Sequence, residues 1–251
     1  MIRRVAVIVP AANEERLIGG CLSSIGVARD RLCRDGTGIG VRIVVILDGC
    51  GDATAQIVAE SGDVQSLTIS ARSVGAARRA GTLAAMAGAG PASQIWLANT
   101  DADCEVPANW LTSMVTEART GAHVVLGTVT PGPGLAPAAR AEWARRHHLR
   151  DGHPHVHGAN FGIRGDTYLA LGGWRPLASG EDADLARRAA LTRRLRVARS
   201  ASIPVVTSVR RDGRAPRGFS SYLRGLDARC AGGVSARPGG VLGPDAAEAR
   251  S

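Results

Sequence analysis

Gln94-Ile-Trp-Leu-Ala-Asn99, followed by Thr100-Asp-Ala-Asp-Cys104, decides how this chain is read. The first six residues form an apolar run that predicts a buried strand. Val106-Pro107-Ala-Asn-Trp-Leu follows, where proline can open a helix. Two carboxylates one residue apart therefore stand at the exit of a strand. Hard divalent cations take oxygen ligands, and Mg²⁺ commonly combines one or two carboxylates with phosphate oxygens. A nucleotide diphosphate would complete such a shell. Asp-x-Asp also occurs in ordinary polar loops, so the rest of the chain must decide between the two.

Upstream, strand and helix signals alternate. Val5-Ala-Val-Ile-Val9 is a continuous apolar run bounded by Pro10, as in a strand covered on both faces. A helix is expected from Glu14 to about Ile25, with Leu17, Ile18, Leu22 and Ile25 on one side, then a polar connection from Arg29 to Gly40. Val41 to Leu47 predicts a second strand, and Asp52 a helix cap. Val64 to Ile69 reads as a third strand, Ser73 to Met86 as a helix, and Ile95 to Ala98 as a fourth strand. Repeated β-α units imply a parallel sheet with helices on both faces. Ligands of such sheets sit beyond the carboxyl ends of the strands. The turns 10–15, 48–52 and 101–103 all fall there.

The second half is less regular. His123 to Val129 predicts a strand, Pro137 to Leu149 a helix carrying Trp143, and Ile203 to Val206 a last strand. Between them lie a histidine-rich turn (His147, His148, His153, His155, His157), a short helix from Asp166 to Leu171, and Gly180-Glu181-Asp182-Ala-Asp184. The last opens a helix with acids at its positive dipole end. Alternation would put His153, His155 and His157 on one face of a strand, but no cysteine or acid stands near at zinc-ligand spacing.

Composition narrows the class. The 251 residues are 45% hydrophobic and 3% aromatic, so the core must be aliphatic. The net charge is +9, and every basic side chain is arginine. Without interleaved aromatics, this basicity does not read as a nucleic-acid platform. It suits an anionic substrate or peripheral contact with a membrane surface. Five cysteines without C-x-x-C spacing argue against a disulfide framework and for a reducing cytoplasm. No stretch has the length expected of a transmembrane segment.

In this order, the turns resemble the family 2 glycosyltransferases of the GT-A fold, over roughly residues 4 to 225. Val-Ile-Val-Pro-Ala-Ala-Asn-Glu-Glu15 is similar to the family's N-terminal strand and loop. Val44-Val-Ile-Leu-Asp48-Gly-Cys-Gly-Asp52 is similar to its nucleotide turn, Gly75 to Gly81 to its glycine and arginine helix, and Asp101-Ala-Asp103 to its metal motif. Gly158 to Arg164, Gly172-Gly173 and Gly180-Glu181-Asp182 match the acceptor-side pattern. Two features depart. Leu47 stands where relatives often carry a second acid, leaving Asp48 alone for the base or ribose. No histidine follows His157 to serve as a late metal ligand.

The resemblance implies an α/β GT-A domain: a mainly parallel central sheet with helices on both faces. It would span 1–228, with a Rossmann-like nucleotide-sugar half (1–104) and an acceptor and catalytic half (105–228). A flexible tail, 229–251, would follow. It further implies a metal-dependent, inverting enzyme of hexosyltransferase type. Pro10, Ala12, Glu15, Asp48, Arg78, Asp101, Ala102 and Asp103 would bind the nucleotide sugar. Asp103 would hold Mg²⁺ or Mn²⁺, and Asp182, with Glu181 beside it, would be the base. His157, Asn160 and Trp174 would lie on the acceptor side, and Arg210, Arg214 and Arg217 would meet the diphosphate. UDP is the expected donor nucleotide, with GDP and dTDP as alternatives. The acceptor would be a small molecule or a lipid head group. Two rival readings are a sugar-phosphate nucleotidyltransferase, which usually wants a glycine-rich N-terminal loop, and a non-catalytic basic binding module on the same fold.

Overall fold

The computed structural model describes residues 1–36, 38–147, 149–177, 179–210, 220 and 222–225. Arg214, Arg217, the expected domain boundary at 228 and the stretch 229–251 lie outside the described residues.

Apolar runs become strands where both faces can be covered. Three such runs are β1 (Arg4–Ala11), β2 (Gly40–Asp48) and β4 (Ile95–Asn99), while β3 (Val64–Ile69) is a half-polar, partly exposed strand at the sheet's edge. Among the described residues, four more strands follow: β5 (Cys104–Glu105), β6 (Val124–Pro131), β7 (Phe161–Arg164) and β8 (Val197–Thr207). They form one sheet in the order β3-β2-β1-β4-β7-β6-β8-β5. β1–β2, β1–β4, β2–β3 and β6–β8 pair in parallel, whereas β7 is antiparallel to β4 and β6, and β5 to β8. All strands but β5 and β7 thus run one way, so their carboxyl ends share an edge.

Side chains alternate across each strand. Val5, Val7, Val9, Ile43, Val45 and Leu47 face one layer, built from α1 (Ile18–Arg34), α2 (Thr54–Glu60) and α4 (Trp110–Arg119). Ala6, Ile8, Val44 and Ile46 face the other, built from α3 (Val74–Met86), α6 (Gly165–Ala170) and α7 (Glu181–Leu191). Fully burying an aliphatic side chain of this size contributes roughly 1.5–3 kcal/mol. All four tryptophans, Trp96, Trp110, Trp143 and Trp174, are buried, so the scarce aromatics concentrate inside. Gly81 lets α3 sit close on the sheet, because a Cβ there would collide with Ile46. A small third cluster joins α5 (Pro137–Arg146) to Leu135 and Leu223. Among the described residues, no helix is long and apolar enough to cross a membrane.

Several boundaries differ from the sequence expectation. α1 begins at Ile18 rather than Glu14 and runs on to Arg34. Ala28 and Leu32 continue its buried stripe while arginines take the wet side, so the first half of the expected connection, 29–34, is helix. The last strand begins at Val197, because its first residues pair with β6. Asp52 does not occupy the cap position, which is Ala53, but its carboxylate accepts from Thr54 N (3.0 Å) and Thr54 Oγ1 (2.5 Å) at the helix start.

Candidate active site

The shared carboxyl edge gathers the turns after β1, β2 and β4. The first two are stapled to each other. Asn13 takes a positive φ of 53°, and its Oδ1 accepts from Gly51 N at 2.7 Å. Glu15 N donates to Asp52 Oδ2 (3.1 Å), Ala53 N donates to Glu15 Oε2 (3.0 Å), and Glu14 N donates to Thr54 Oγ1 (2.7 Å). Asp48, at the end of β2, accepts from Arg72 N (2.8 Å) and Ser73 N (2.9 Å). It thereby shapes the turn into α3 while keeping spare lone pairs. Pro10 and Ala12 are half-buried beside these turns.

After β4 the chain turns through Asp101, Ala102 and Asp103. Ala102 is buried and anchors the turn. Ligand atoms of Asp101, Asp103 and Cys104 all lie within 4.8 Å of one another. Burial and the neighbouring Asp101 push the Asp103 carboxyl up to about 6, against the pull of Arg210. Asp103 Oδ1 accepts from the Cys104 thiol at 3.4 Å, and Asp103 Oδ2 lies 3.1 Å from Arg210 Nη2. Burial, followed by Asp103 and Asp101, raises the Cys104 thiol well above its ordinary value. It therefore stays protonated and is a poor ligand for a hard cation. The carboxylate oxygens are the donors that suit Mg²⁺ or Mn²⁺.

Topology brings the distant acids to this edge. Because β7 opposes β4, Asn99 pairs with Phe161, and the residues before β7 arrive beside the metal-type turn. Gly158 N donates to Asp182 Oδ2 (2.7 Å), and Ala183 N donates to Asp182 Oδ1 (2.8 Å). Asp182 lies in the first turn of α7, whose N-cap Gly180 adopts a left-handed φ of 80°. One buried guanidinium links this helix to the metal-type turn: Arg78 Nη2 donates to Asp101 Oδ1 (2.5 Å) and Nη1 to Glu181 Oε1. The Arg78 guanidinium also lies 5.4 Å from the Trp174 ring centre. Burial alone would weaken the Arg78 charge, but Asp101, Glu181 and Asp182 outweigh it and raise its pKa. Burial raises the Glu181 carboxyl, Arg78 opposes that shift, and Asp182 adds to it.

Arg78 thus lies beneath the acids rather than at the opening. Two residues expected on the acceptor side also sit elsewhere. Asn160 is fully buried: its Oδ1 accepts from Trp110 Nε1 (2.9 Å), and its Nδ2 donates to Thr128 O (2.9 Å) and Ile203 O (2.6 Å). It ties α4, β6 and β8 together. Trp174 is fully buried against Phe161 and Tyr168. Neither side chain is open to an acceptor. His157 is half-buried next to Gly158, its titration pushed down to about 3 by burial and neighbouring histidines. His153, His155 and His157 occupy no strand; their rings stack in sequence, and His155 also lies 5.0 Å from His147 and 6.0 Å from His157.

Glu14 was not singled out in the sequence, yet it is buried and paired. Arg210 Nη1 donates to its Oε2 (2.6 Å) and Nη2 to its Oε1 (2.7 Å). The adjacent Glu14-Glu15 was the available signal, but sequence does not say which acid turns inward.

A family model described as "Glycosyl transferase family 2" matches residues 6–164. No curated protein sequence matches the chain. Among solved structures, the mannosyltransferase PcManGT from Pyrobaculum calidifontis, in complex with GDP-Man and Mn²⁺, is similar. It shows 21% identity and a TM-score of 0.61, over 95% of this chain and 67% of that one. Glucosyl-3-phosphoglycerate synthase from Mycobacterium tuberculosis, with Mn²⁺, UDP and phosphoglyceric acid, shows 18% identity and a TM-score of 0.54, over 92% and 78%. S. aureus TarS 1–349 shows 14% identity and a TM-score of 0.56, over 81% of this chain. The chain spans 60% of that TarS chain and 37% of a longer TarS chain. At these identities the likeness is one of fold.

Proposed function

The chain belongs to glycosyl transferase family 2, and from that premise we propose that it is a metal-dependent, inverting glycosyltransferase. It would move a sugar from a nucleotide-diphosphate donor to an acceptor hydroxyl. One observation carries this reading. Arg78 joins Asp101 to Glu181, the residue beside Asp182, so the metal-type turn and the start of α7 are coupled through one side chain. Similar structures contain GDP-Man with Mn²⁺ and UDP with Mn²⁺, which supports a nucleotide and a cation here.

Each residue then has a task. Asp103, with Asp101 close by, offers carboxylate oxygens to Mg²⁺ or Mn²⁺. That ion would supply Lewis-acid neutralisation of the leaving diphosphate. Pro10, Ala12, Glu15 and Asp48 border the nucleoside, where a carboxylate oxygen can accept from a ribose hydroxyl or base N–H. Arg210 offers a planar fork to phosphate oxygens. Asp182 accepts the proton of the acceptor hydroxyl while its oxygen bonds the anomeric carbon and the bond to the diphosphate breaks. Gly158 N–H and Ala183 N–H aim that carboxylate. A single base without a covalent carboxylate intermediate gives inversion. His157, beside Gly158, borders the acceptor, either a small molecule or a lipid head group.

A thermal-shift screen of UDP, GDP and dTDP sugars, with and without Mn²⁺, tests the reading. A specific donor at about 100 times its Kd should stabilise by roughly 2.7 kcal/mol, or about 5–10 °C for a domain of this size. The shift should need Mn²⁺ and vanish in Asp103→Ala. No shift with any nucleotide sugar would reject the proposal.

A further inference from the structure

Arg210 stands where a cation is wanted. Its Nη2 lies 3.1 Å from Asp103 Oδ2 while its fork grips both oxygens of Glu14. Glu14 is buried and Asp103 nearly so, and a buried carboxylate needs a positive partner. The nearby cation Arg78 is already engaged by Asp101 and Glu181. We propose that Arg210 is a tethered counter-cation that competes with a divalent ion for Asp103. It yields that carboxylate when a diphosphate gives its fork another anion. This rests on the reading of Asp103 as the metal ligand.

The backbone makes the exchange local. Ser208 N donates to Asp103 O (3.1 Å), and Arg210 N donates to Ser208 Oγ (3.2 Å). The chain at Arg210 is therefore held to the turn that carries Asp103. A side-chain rotation alone can move the guanidinium from one anion to another. The Arg210 side chain is about one-third exposed, so its fork can be reached from solvent. A free divalent ion must displace this guanidinium or share Asp103 with it against like-charge repulsion. An ion that arrives with phosphate oxygens meets a smaller penalty, because a planar fork matches phosphate as well as carboxylate.

The experiment measures Mn²⁺ binding by electron paramagnetic resonance, without nucleotide, in wild type, Arg210→Gln, Arg210→Lys and Asp103→Asn. Circular dichroism checks that each variant is folded. Arg210→Gln should bind Mn²⁺ about fivefold more tightly than wild type, the scale of one partly screened charge pair in the site. Arg210→Lys keeps the charge and should stay near wild type. Adding UDP or GDP should then improve Mn²⁺ affinity more in wild type than in Arg210→Gln. Equal or weaker Mn²⁺ binding by Arg210→Gln overturns the inference while leaving the metal site standing. Mn²⁺ binding unaffected by Asp103→Asn, or absent from every variant with and without nucleotide, overturns the metal reading and this inference together.

Discussion

Arg78 shows how one residue can organise a site from below. Its guanidinium is buried between Asp101 and Glu181 and lies over Trp174. Removing one partner of a buried ion pair leaves a desolvated charge and costs about 3–5 kcal/mol. Arg78→Met should therefore destabilise the protein by that amount in urea unfolding. Arg78→Met combined with Glu181→Leu should cost clearly less than the two single changes added together. Additive losses would mean that the two side chains are not energetically coupled. The sequence singled out Arg78 and Glu181 but not their partnership. They lie 103 positions apart in the chain, and nothing in local pattern pairs residues across a sheet. For Asn160 and Trp174, the family resemblance implied contact with an acceptor. Their polar and aromatic groups serve the interior instead: Asn160 satisfies Trp110 and two carbonyls, and Trp174 supports Arg78.

At the scale of elements, the turn into β7 is a tight joint. A Cβ at Gly158 would collide with the Arg78 guanidinium, and Gly158 N–H aims Asp182. Gly158→Ala should cost roughly 1–3 kcal/mol by overpacking and should lower turnover by displacing Asp182. Unchanged melting temperature and turnover would show that the joint can relax. β1, β2 and β4 were legible because both their faces are covered, which leaves apolar runs, whereas β3, with Gln65, Ser66 and Thr68 exposed, was legible from its place in the β-α alternation. The reversed direction of β7 was not, since hydrophobic pattern carries no strand direction. β5 has two residues, too few for any period. The extension of α1 past Ile25 hid behind its arginines, although Ala28 and Leu32 kept the buried spacing. The acidic turns after β2 and β4 and the acidic start of α7 were legible individually, because Asp-rich strand exits and helix starts have local causes. Their assembly needed the sheet order.

At the scale of the whole molecule, a strongly basic chain gathers buried acids at one edge and neutral histidines beside them. Burial, then the neighbouring histidines, holds His155 at about 4 and His157 at about 3, where an unfolded histidine titrates near 6.5. The unfolded chain thus takes up these protons first as pH falls. Their contribution to stability is complete above about 6.5 and is lost as pH drops towards 4 and below. Asp103, raised to about 6, acts in the opposite sense between about 4 and 6, so the histidine share must be read by difference. His155→Gln should flatten the fall in urea stability between pH 7 and pH 5, and an unchanged slope would remove His155 from the balance. The central claim is that the edge works as one transferase site with Asp182 as its base. Donor hydrolysis, with water in place of the acceptor, tests this in Asp182→Asn. The account predicts Mn²⁺-dependent donor binding close to wild type, with hydrolysis reduced by about 10²–10⁴. Full hydrolysis by Asp182→Asn would contradict it.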